Sequence, residues 1–160
     1  MSTVVDSSVL VAAILDSGPR GAWAERVLTR GSLYAPQPAR VEATNVFRRL
    51  ERHELITTPE ANAAQDDLMQ LDIELFSFEP FADRVWELRH NMTSYDAWCV
   101  ALAEALKLPL APLDEPLSKS KKVTCQFLTP GRRERKAIKV RDCAGANIDI
   151  SQHDEKTGCE

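Results

Sequence analysis

Four carboxylates stand in separate stretches of the chain, each where an apolar segment meets a turn or the start of a helix. They are Asp6, Glu42, Asp96 and Asp114. An acid in such a place is held at the rim of a hydrophobic core rather than loose in solvent. Because four acids gathered in one place repel one another, their clustering calls for a cation. The pattern therefore indicates a divalent-metal site.

Carboxylate oxygens suit Mg²⁺ or Mn²⁺, which keep several waters and are usually held by few acids together with substrate phosphates. Beside a phosphodiester, such an ion lowers the pKa of a water, orients it in line with the leaving oxygen and offsets charge developing at phosphorus. No serine–histidine or cysteine–histidine arrangement competes, since His53, His90 and His153 lie in polar helical or tail settings. These residue types predict metal-assisted phosphodiester hydrolysis.

Each acid also has a purely structural explanation. Asp6 can cap the helix after the first strand, and Glu42 can favour a helix N-terminus. Asp96 is a first-turn helix acid beside a cap at Ser94, and Asp114 can initiate a turn. The joint pattern, rather than any single acid, indicates the metal site.

The segments around the acids alternate between strands and helices. Val4 and Val5 predict a short buried strand before Asp6, and helical spacing follows it, with Ser7 or Ser8 as the cap. Further strands are predicted at 32–35, 74–78, 108–113 and 123–128. Strands alternating with helices imply an α/β domain with a mostly parallel sheet of about five strands. Ligands bind beyond the carboxyl ends of such strands, where Asp6 and Asp114 both stand.

Helices are predicted between the strands. One runs from Ala39 to about Glu54, and another begins with Thr58 as its cap and continues to about Leu71. The tryptophans lie on apolar helical faces, which favours core or dimer contacts over base-stacking platforms. They are Trp23, Trp86 and Trp98.

Length and composition bound the organisation of the chain. The 160 residues suffice for one compact domain plus, at most, an appendage. No apolar run approaches the ~20 residues that span a bilayer, and the N-terminus lacks a signal-peptide pattern. We therefore expect a soluble, cytoplasmic protein without membrane contact.

Charge is distributed unevenly. Residues 1–117 carry 10 basic and 18 acidic side chains, whereas 118–141 carry nine basic groups against one acid, Glu134. The basic block attracts phosphate backbones or is simply a solvated tail, and both readings stay open. Beyond Pro130 periodicity fades, so we expect a domain at 1–130 and a poorly ordered extension at 131–160, with room for one short helix or strand.

The cysteines are scattered without a C-x-x-C pair, which disfavours a disulfide framework. Cys99 lies inside an apolar helical pattern, so we expect a buried free thiol. Cys143, His153 and Cys159 lack the short paired spacing of a zinc site.

Four blocks of the chain together resemble PIN domains, specifically the VapC toxins of bacterial toxin–antitoxin pairs. The blocks are TVVDSSVLV at 3–11, VEATNVFRRL at 41–50, YDAWCVALA at 95–103 and LDEPL at 113–117. Their order and separations match the family over residues 1 to about 130. The resemblance implies a three-layer α/β/α sandwich.

The resemblance also implies an activity and partners. The protein would be the toxin of a type II system, a Mg²⁺-dependent endoribonuclease that cuts tRNA or rRNA and inhibits translation and growth. A homodimer and a cognate VapB-type antitoxin are implied as well. The C-terminal segment of that antitoxin would place a basic side chain near the acids.

By position, Asp6, Glu42, Asp96 and Asp114 match the acidic quartet of the family. The resemblance makes Asp6 and Asp96 the direct metal ligands. Glu42 and Asp114 would orient the attacking water or complete the shell of a second ion. Ser7 or Ser8 would support the site through a hydrogen bond.

One departure concerns the fourth block. Many relatives have threonine or serine two residues before the fourth aspartate, where this chain has Pro112. Glu115-Pro116 replaces residues that are often basic. A catalytically impaired PIN-like module that binds RNA or antitoxin is therefore the alternative. A phospho-acceptor receiver domain is disfavoured, because a lone Asp6 is followed by serines and Lys107 stands in the wrong context.

Overall fold

The computed structural model describes residues 1–113 and 123–131, together with the backbone of 139–141 and 147–149. Its main sheet has four strands: β1 (Thr3–Val5), β2 (Leu33–Pro36), β3 (Ile73–Phe76) and β4 (Leu110–Ala111). They are all parallel and lie in the order β3-β2-β1-β4. The first strand is therefore internal, with β2 on one side and β4 on the other.

The fifth strand expected at 123–128 is reduced to one parallel bridge. Phe127 pairs with Leu110 at the outer side of β4. The Leu110 N–H donates to the carbonyl of Gln126, and the Leu128 N–H donates to the carbonyl of Leu110, both at 2.8 Å. Because proline lacks an N–H, Pro109 and Pro112 confine β4 to two residues and leave little edge for a neighbour.

Six helices and one 3₁₀ turn connect the described strands. The helices are α1 (Ser7–Leu15), α2 (Pro19–Leu28), α3 (Ala39–Arg52), α4 (Thr58–Gln70), α5 (Ala82–Leu88) and α6 (Ser94–Leu106), and the 3₁₀ turn is Glu79–Phe81. None of the described helices is long and apolar enough to cross a membrane.

Thr57, rather than the expected Thr58, caps α4. The Glu60 N–H donates to the Thr57 hydroxyl at 3.4 Å, and the Glu60 carboxylate accepts the Thr57 N–H at 2.7 Å. This reciprocal capping box needs the glutamate three residues after the cap, a spacing that only Thr57 satisfies. The prediction of Thr58 was wrong by one position.

The sheet is covered on both faces. Successive strand residues point to opposite faces, so Val5 and Ala111 pack in one core with α1 to α4, whereas Val4 and Leu110 pack in another with α5 and α6. This arrangement confirms the three-layer α/β/α fold. Burial on both faces also explains the continuously apolar strands.

Two further strands, β5 (Lys139–Arg141) and β6 (Asn147–Asp149), form an antiparallel pair. They fall inside the segment that we expected to be poorly ordered, where one short helix or strand was allowed for. The remaining residues of that segment lie outside the described part of the chain, so the domain boundary at 130 stays a prediction.

Candidate active site

Asp6 follows β1 directly and is the N-cap of α1. Its Oδ1 accepts hydrogen bonds from the Val9 N–H at 3.0 Å and from the Ser8 hydroxyl at 2.7 Å. The acid thus caps the helix and also stands at the carboxyl end of a central strand. Of the two serines expected to support the site, Ser8 contacts Asp6, and Ser7 is the first residue of α1.

Glu42 lies in the first turn of α3, the helix that begins three residues after β2 ends. Its N–H donates to the carbonyl of Pro38 at 2.9 Å, and the residue is half-buried. Because β1 and β2 are parallel neighbours, α3 starts at the edge of the sheet where Asp6 stands.

Asp96 is held by Thr93, which is the N-cap of α6. The Thr93 hydroxyl donates to Oδ2 of Asp96 at 2.7 Å, and the Asp96 N–H donates to the same hydroxyl oxygen at 3.2 Å. The cap expected at Ser94 is wrong, since Ser94 is the first helical residue. The carboxylate is therefore fixed by a side chain of the preceding turn.

The buried thiol of Cys99 connects the three acids. Burial, and then the charges of Asp6, Asp96 and Glu42, raise the pKa of this thiol well above its ordinary value. The three carboxylates belong to separate elements, and each contributes to the raised pKa of this one thiol.

Sequence reasoning anticipated that Cys99 is a buried free thiol, and the structure confirms it. It missed that the charges of Asp6, Asp96 and Glu42 act on this thiol. The one available signal was its spacing of three residues after Asp96, which puts both on the same side of α6.

The fourth acid, Asp114, lies outside the described residues, so its role stays a prediction. The three residues before it are held in the fold: Ala111 pairs with Val5, and Pro112 and Leu113 are buried. Since β1 and β4 are parallel neighbours, the chain leaves β4 at the edge where Asp6 follows β1.

The acids suit Mg²⁺ by their chemistry. Asp6, Glu42 and Asp96 offer only oxygen donors, and Mg²⁺ is typically held by one or two carboxylates with water and phosphate completing the shell. Within residues 1–113 and 123–131, no three acid, histidine or cysteine side chains are placed to hold an ion by themselves. The arrangement therefore fits an ion shared with substrate and water better than a closed protein cage.

The tryptophans divide into two groups. Trp23 and Trp98 are buried, as expected, and pack in the two cores. Trp86 is 68% exposed, and the Arg89 guanidinium lies 4.5 Å from its ring centre. Of the two roles expected for Trp86, the core position is excluded because Val85 and Leu88 form the buried side of the short α5, and the dimer contact stays a prediction.

The fold is a parallel α/β/α sandwich, with acids at the carboxyl edge of its sheet. Comparisons with known proteins identify the family that has this arrangement. The PIN domain model matches residues 3–122. Ribonuclease VapC1 of Mycobacterium tuberculosis is 32% identical over 125 residues, covering 78% of this chain and 94% of the relative. Ribonuclease VapC9 of the same organism is 30% identical over 122 residues, 76% of this chain and 93% of the relative.

A solved structure agrees in fold. VapC20 of Mycobacterium tuberculosis, described as a sarcin–ricin loop cleaving toxin, superposes with a TM-score of 0.56 at 17% identity, over 78% of this chain and 98% of that one. The chain therefore belongs to the PIN domain family, and within it to the VapC toxins of toxin–antitoxin systems.

Proposed function

We propose that the protein is the toxin of a type II toxin–antitoxin system. It acts in the cytoplasm as a Mg²⁺-dependent endoribonuclease that hydrolyses RNA phosphodiester bonds and thereby inhibits translation and growth. The observation that supports this proposal is that Asp6 and Glu42 follow the neighbouring parallel strands β1 and β2 at one edge of the sheet, in a chain that matches the PIN domain.

Asp6 and Asp96 are the residues that would hold Mg²⁺, with Mn²⁺ as a substitute. A bound divalent ion supplies positive charge to the phosphodiester and acidifies water. Val9 and Ser8 fix the Asp6 carboxylate, and Thr93 fixes that of Asp96, so both ligands are oriented before substrate arrives.

Glu42 would orient the attacking water, a role that Asp114 would share. Attack forms a bond between the water oxygen and phosphorus and breaks the bond to the 3′ oxygen, which takes up a proton. The products are a 5′-phosphate and a 3′-hydroxyl. A bound cation lowers the charge repulsion among the acids. Activity therefore depends on the presence of the ion.

The RNA is proposed to be tRNA or rRNA, and the partner a VapB-type antitoxin. The VapBC2 complex of Rickettsia felis has a TM-score of 0.56 with this chain at 13% identity, over 81% of this chain and 98% of that one. Such a likeness concerns the fold alone. A basic antitoxin side chain at the acids is physically sensible, since it replaces the charge of the ion. A homodimer is part of the proposal.

The test compares three single substitutions in growth inhibition and in Mg²⁺-dependent RNA cleavage. Asp6→Asn and Asp96→Asn should abolish both while circular dichroism shows a folded protein. Asp66→Asn, at an exposed acid of α4, is the matched control and should be fully active. Full activity in both site variants would overturn the proposal.

A PIN-like module without turnover is the second candidate. The observation that favours it is Pro112, a fully buried residue without a hydroxyl near the carboxyl edge. RNA binding without cleavage at any Mg²⁺ or Mn²⁺ concentration would support this candidate over the nuclease.

A further inference from the structure

One side of α3 exposes a row of polar and basic side chains. Asn45, Arg48 and Arg52 are all exposed and follow one another at spacings of three and four residues, so they lie on the same side of the helix. The opposite side of α3 packs in the core through Phe47 and Leu50. We call Asn45, Arg48 and Arg52 the arginine row.

The arginine row begins beside a candidate active-site acid. Glu42 lies in the first turn of α3, and Asn45 follows it by three residues. Residues at this spacing are neighbours on a helix surface, with Cβ atoms ~5–6 Å apart. Because a helix rises about 1.5 Å per residue, Arg48 and Arg52 stand roughly 9 and 15 Å beyond Glu42 along the helix axis. The row therefore leads away from the carboxyl edge of the sheet across the protein surface.

Arg48 is held in position by Asn45. Its Nε and Nη2 both donate to Oδ1 of Asn45, at 3.2 and 2.9 Å. Among residues 1–113 and 123–131, no carboxylate forms an ion pair with Arg48 or Arg52. The side chains of that part of the chain therefore leave the positive charge of the row unneutralised.

Positive charge is concentrated in α3. This helix carries four arginines and two glutamates, whereas α4, α5 and α6 each carry more acidic than basic side chains. Residues 1–117 together are acidic, and the carboxylates of the candidate site repel a polyanion. A strand of RNA that approaches Glu42 is therefore attracted to the exposed side of α3.

The chemistry of the guanidinium group narrows the ligand of this row to phosphate. Arginine presents its N–H donors in a planar fork that matches two phosphate oxygens, and it stays charged at physiological pH. Asn45 orients the fork of Arg48 before a ligand arrives, so less conformational freedom is lost on binding. Contacts of this kind position a nucleic acid strand without reading its bases.

We propose that Arg48 and Arg52 bind backbone phosphates of the RNA strand that is cut beside Glu42, and that Asn45 is a positioning residue for Arg48. This inference rests on the proposed nuclease function and adds a backbone-binding surface outside the acidic site. An acidic segment of an antitoxin is the competing ligand. RNA is favoured because the row begins beside the acid that would orient the attacking water.

The first test measures RNA binding apart from cleavage. Fluorescein-labelled oligouridylate is titrated with the Asp6→Asn protein, alone and combined with Arg48→Ala or Arg52→Ala, and fluorescence anisotropy gives Kd at several KCl concentrations. Each alanine variant should weaken the affinity on the order of 10-fold, because a charge-assisted hydrogen bond is lost. Each should also reduce the slope of log Kd against log [KCl] by about 0.7, the value for one phosphate contact on a single strand.

Arg30→Ala is the matched control for this test. Arg30 is exposed and lies three residues before the start of β2, which places it at the amino edge of the sheet, opposite the acids. The variant removes the same charge from the protein. Its affinity and its salt slope should stay close to those of the Asp6→Asn parent.

Two milder substitutions separate charge from geometry. Arg48→Lys keeps the charge but loses the planar fork, and Asn45→Ala keeps both arginines but releases Arg48. Both should weaken the affinity less than Arg48→Ala and leave the salt slope unchanged. A purely structural role of the row would not change the salt slope in any variant, and thermal unfolding checks that each variant is folded.

The second test uses an RNA that the wild-type protein cuts. The double variant Arg48→Ala/Arg52→Ala should raise KM at least on the order of 10-fold with little change in kcat, since these contacts hold substrate without touching the reacting atoms. Arg30→Ala should change neither constant. A fall in kcat without a rise in KM would contradict a role in substrate binding.

The outcomes separate this inference from the nuclease proposal. Loss of affinity and of salt slope in the two alanine variants, but not in Arg30→Ala, supports the row even if no RNA is ever cut. Equal losses in all three variants would mean unspecific charge attraction and overturn it. Unchanged binding and KM overturn the row and leave the nuclease intact. Variants that weaken binding of antitoxin but not of RNA also overturn it, as does failure of the Asp6→Asn parent to bind oligouridylate.

Discussion

Thr93 and Asp96 bind each other through two hydrogen bonds of opposite direction. The threonine hydroxyl donates to the aspartate carboxylate at 2.7 Å and accepts the aspartate N–H at 3.2 Å. One side chain therefore both caps α6 and orients an acid of the candidate active site. Helix stability and carboxylate position are coupled at this residue.

Thr93→Ala should lower both stability and activity. Loss of the cap costs about 1 kcal/mol of unfolding free energy, and a displaced carboxylate lowers kcat on the order of 10- to 100-fold. Thr93→Ser, which keeps the hydroxyl, should retain most activity. Urea unfolding and RNA cleavage measure the two effects.

Thr57→Ala is the matched control for this prediction. It removes an equivalent cap from α4, together with its contact to Glu60, and touches none of the three acids. Thr57→Ala should lower the free energy of unfolding by about as much as Thr93→Ala does, and it should leave kcat unchanged. Equal losses of kcat in the two alanine variants would mean that Thr93 acts only through stability.

Glu104 of α6 forms hydrogen bonds to α5 and to the segment 123–128, which pairs with β4. It accepts hydrogen bonds from Arg84 at 2.8 and 3.2 Å, and from the N–H and hydroxyl of Thr124 at 2.8 and 3.0 Å. Burial raises the pKa of this carboxyl, but the bonds from Arg84 and Thr124 outweigh burial, so its pKa is lowered.

A lowered pKa makes the stabilisation depend on pH. It is fully present above the ordinary value of 4.5 and is lost as pH falls through the lower folded value. Glu104→Gln should lower the free energy of unfolding by about 1–3 kcal/mol at pH 7. The difference in stability between this variant and the wild type should narrow only below pH 4.5. Glu87→Gln, at an exposed partner of Arg84, should cost less. A gap that is constant with pH would contradict the assignment.

Cys99 should resist alkylation in the folded protein. Burial and three neighbouring carboxylates raise its pKa, and burial, followed by the charge of Glu104, raises that of Cys125 to about 11. N-ethylmaleimide at pH 8, followed by peptide mass spectrometry, should find Cys99 unmodified until urea unfolds the chain. Rapid native labelling of Cys99 would contradict its burial and its raised pKa.

Removal of residues 132–160 should leave the PIN domain folded. The family match ends at 122, and the contacts of Phe127 and Leu128 with β4 lie before the cut. Tm should change by less than about 4 °C, which corresponds to roughly 1 kcal/mol. Removal of 123–160 eliminates those contacts and should lower Tm further. Equal loss in both truncations would contradict a domain that ends near 130.

The layers of the fold were predictable because each depends on local pattern. Apolar runs before Asp6 and helical spacing after it predict a strand and a helix without knowledge of their partners. The predicted fifth strand is reduced to a single bridge because Pro109 and Pro112 leave only a few residues of β4 able to pair. The sequence alone does not reveal how short that pairing is. Trp86 lies outside the core because Val85 and Leu88, three residues apart, form the buried side of α5, and the residue next to Val85 faces elsewhere.

The candidate site was predictable in part for the same reason. Asp6 and Asp96 mark element ends, which sequence patterns reveal. How near they lie to each other depends on the strand order and on the packing of α6 against β1, which no local pattern reveals. The contact of Phe78 with Trp98 likewise joins distant segments, so no local pattern indicated it.

The most direct test of the central claim is to map RNA 5′ ends after brief induction of the wild-type protein and of Asp6→Asn. A nuclease centre built on these acids predicts discrete new 5′-phosphate ends with the wild type and none with the variant at equal protein level. The same ends in both, or none with the wild type, would contradict the assignment.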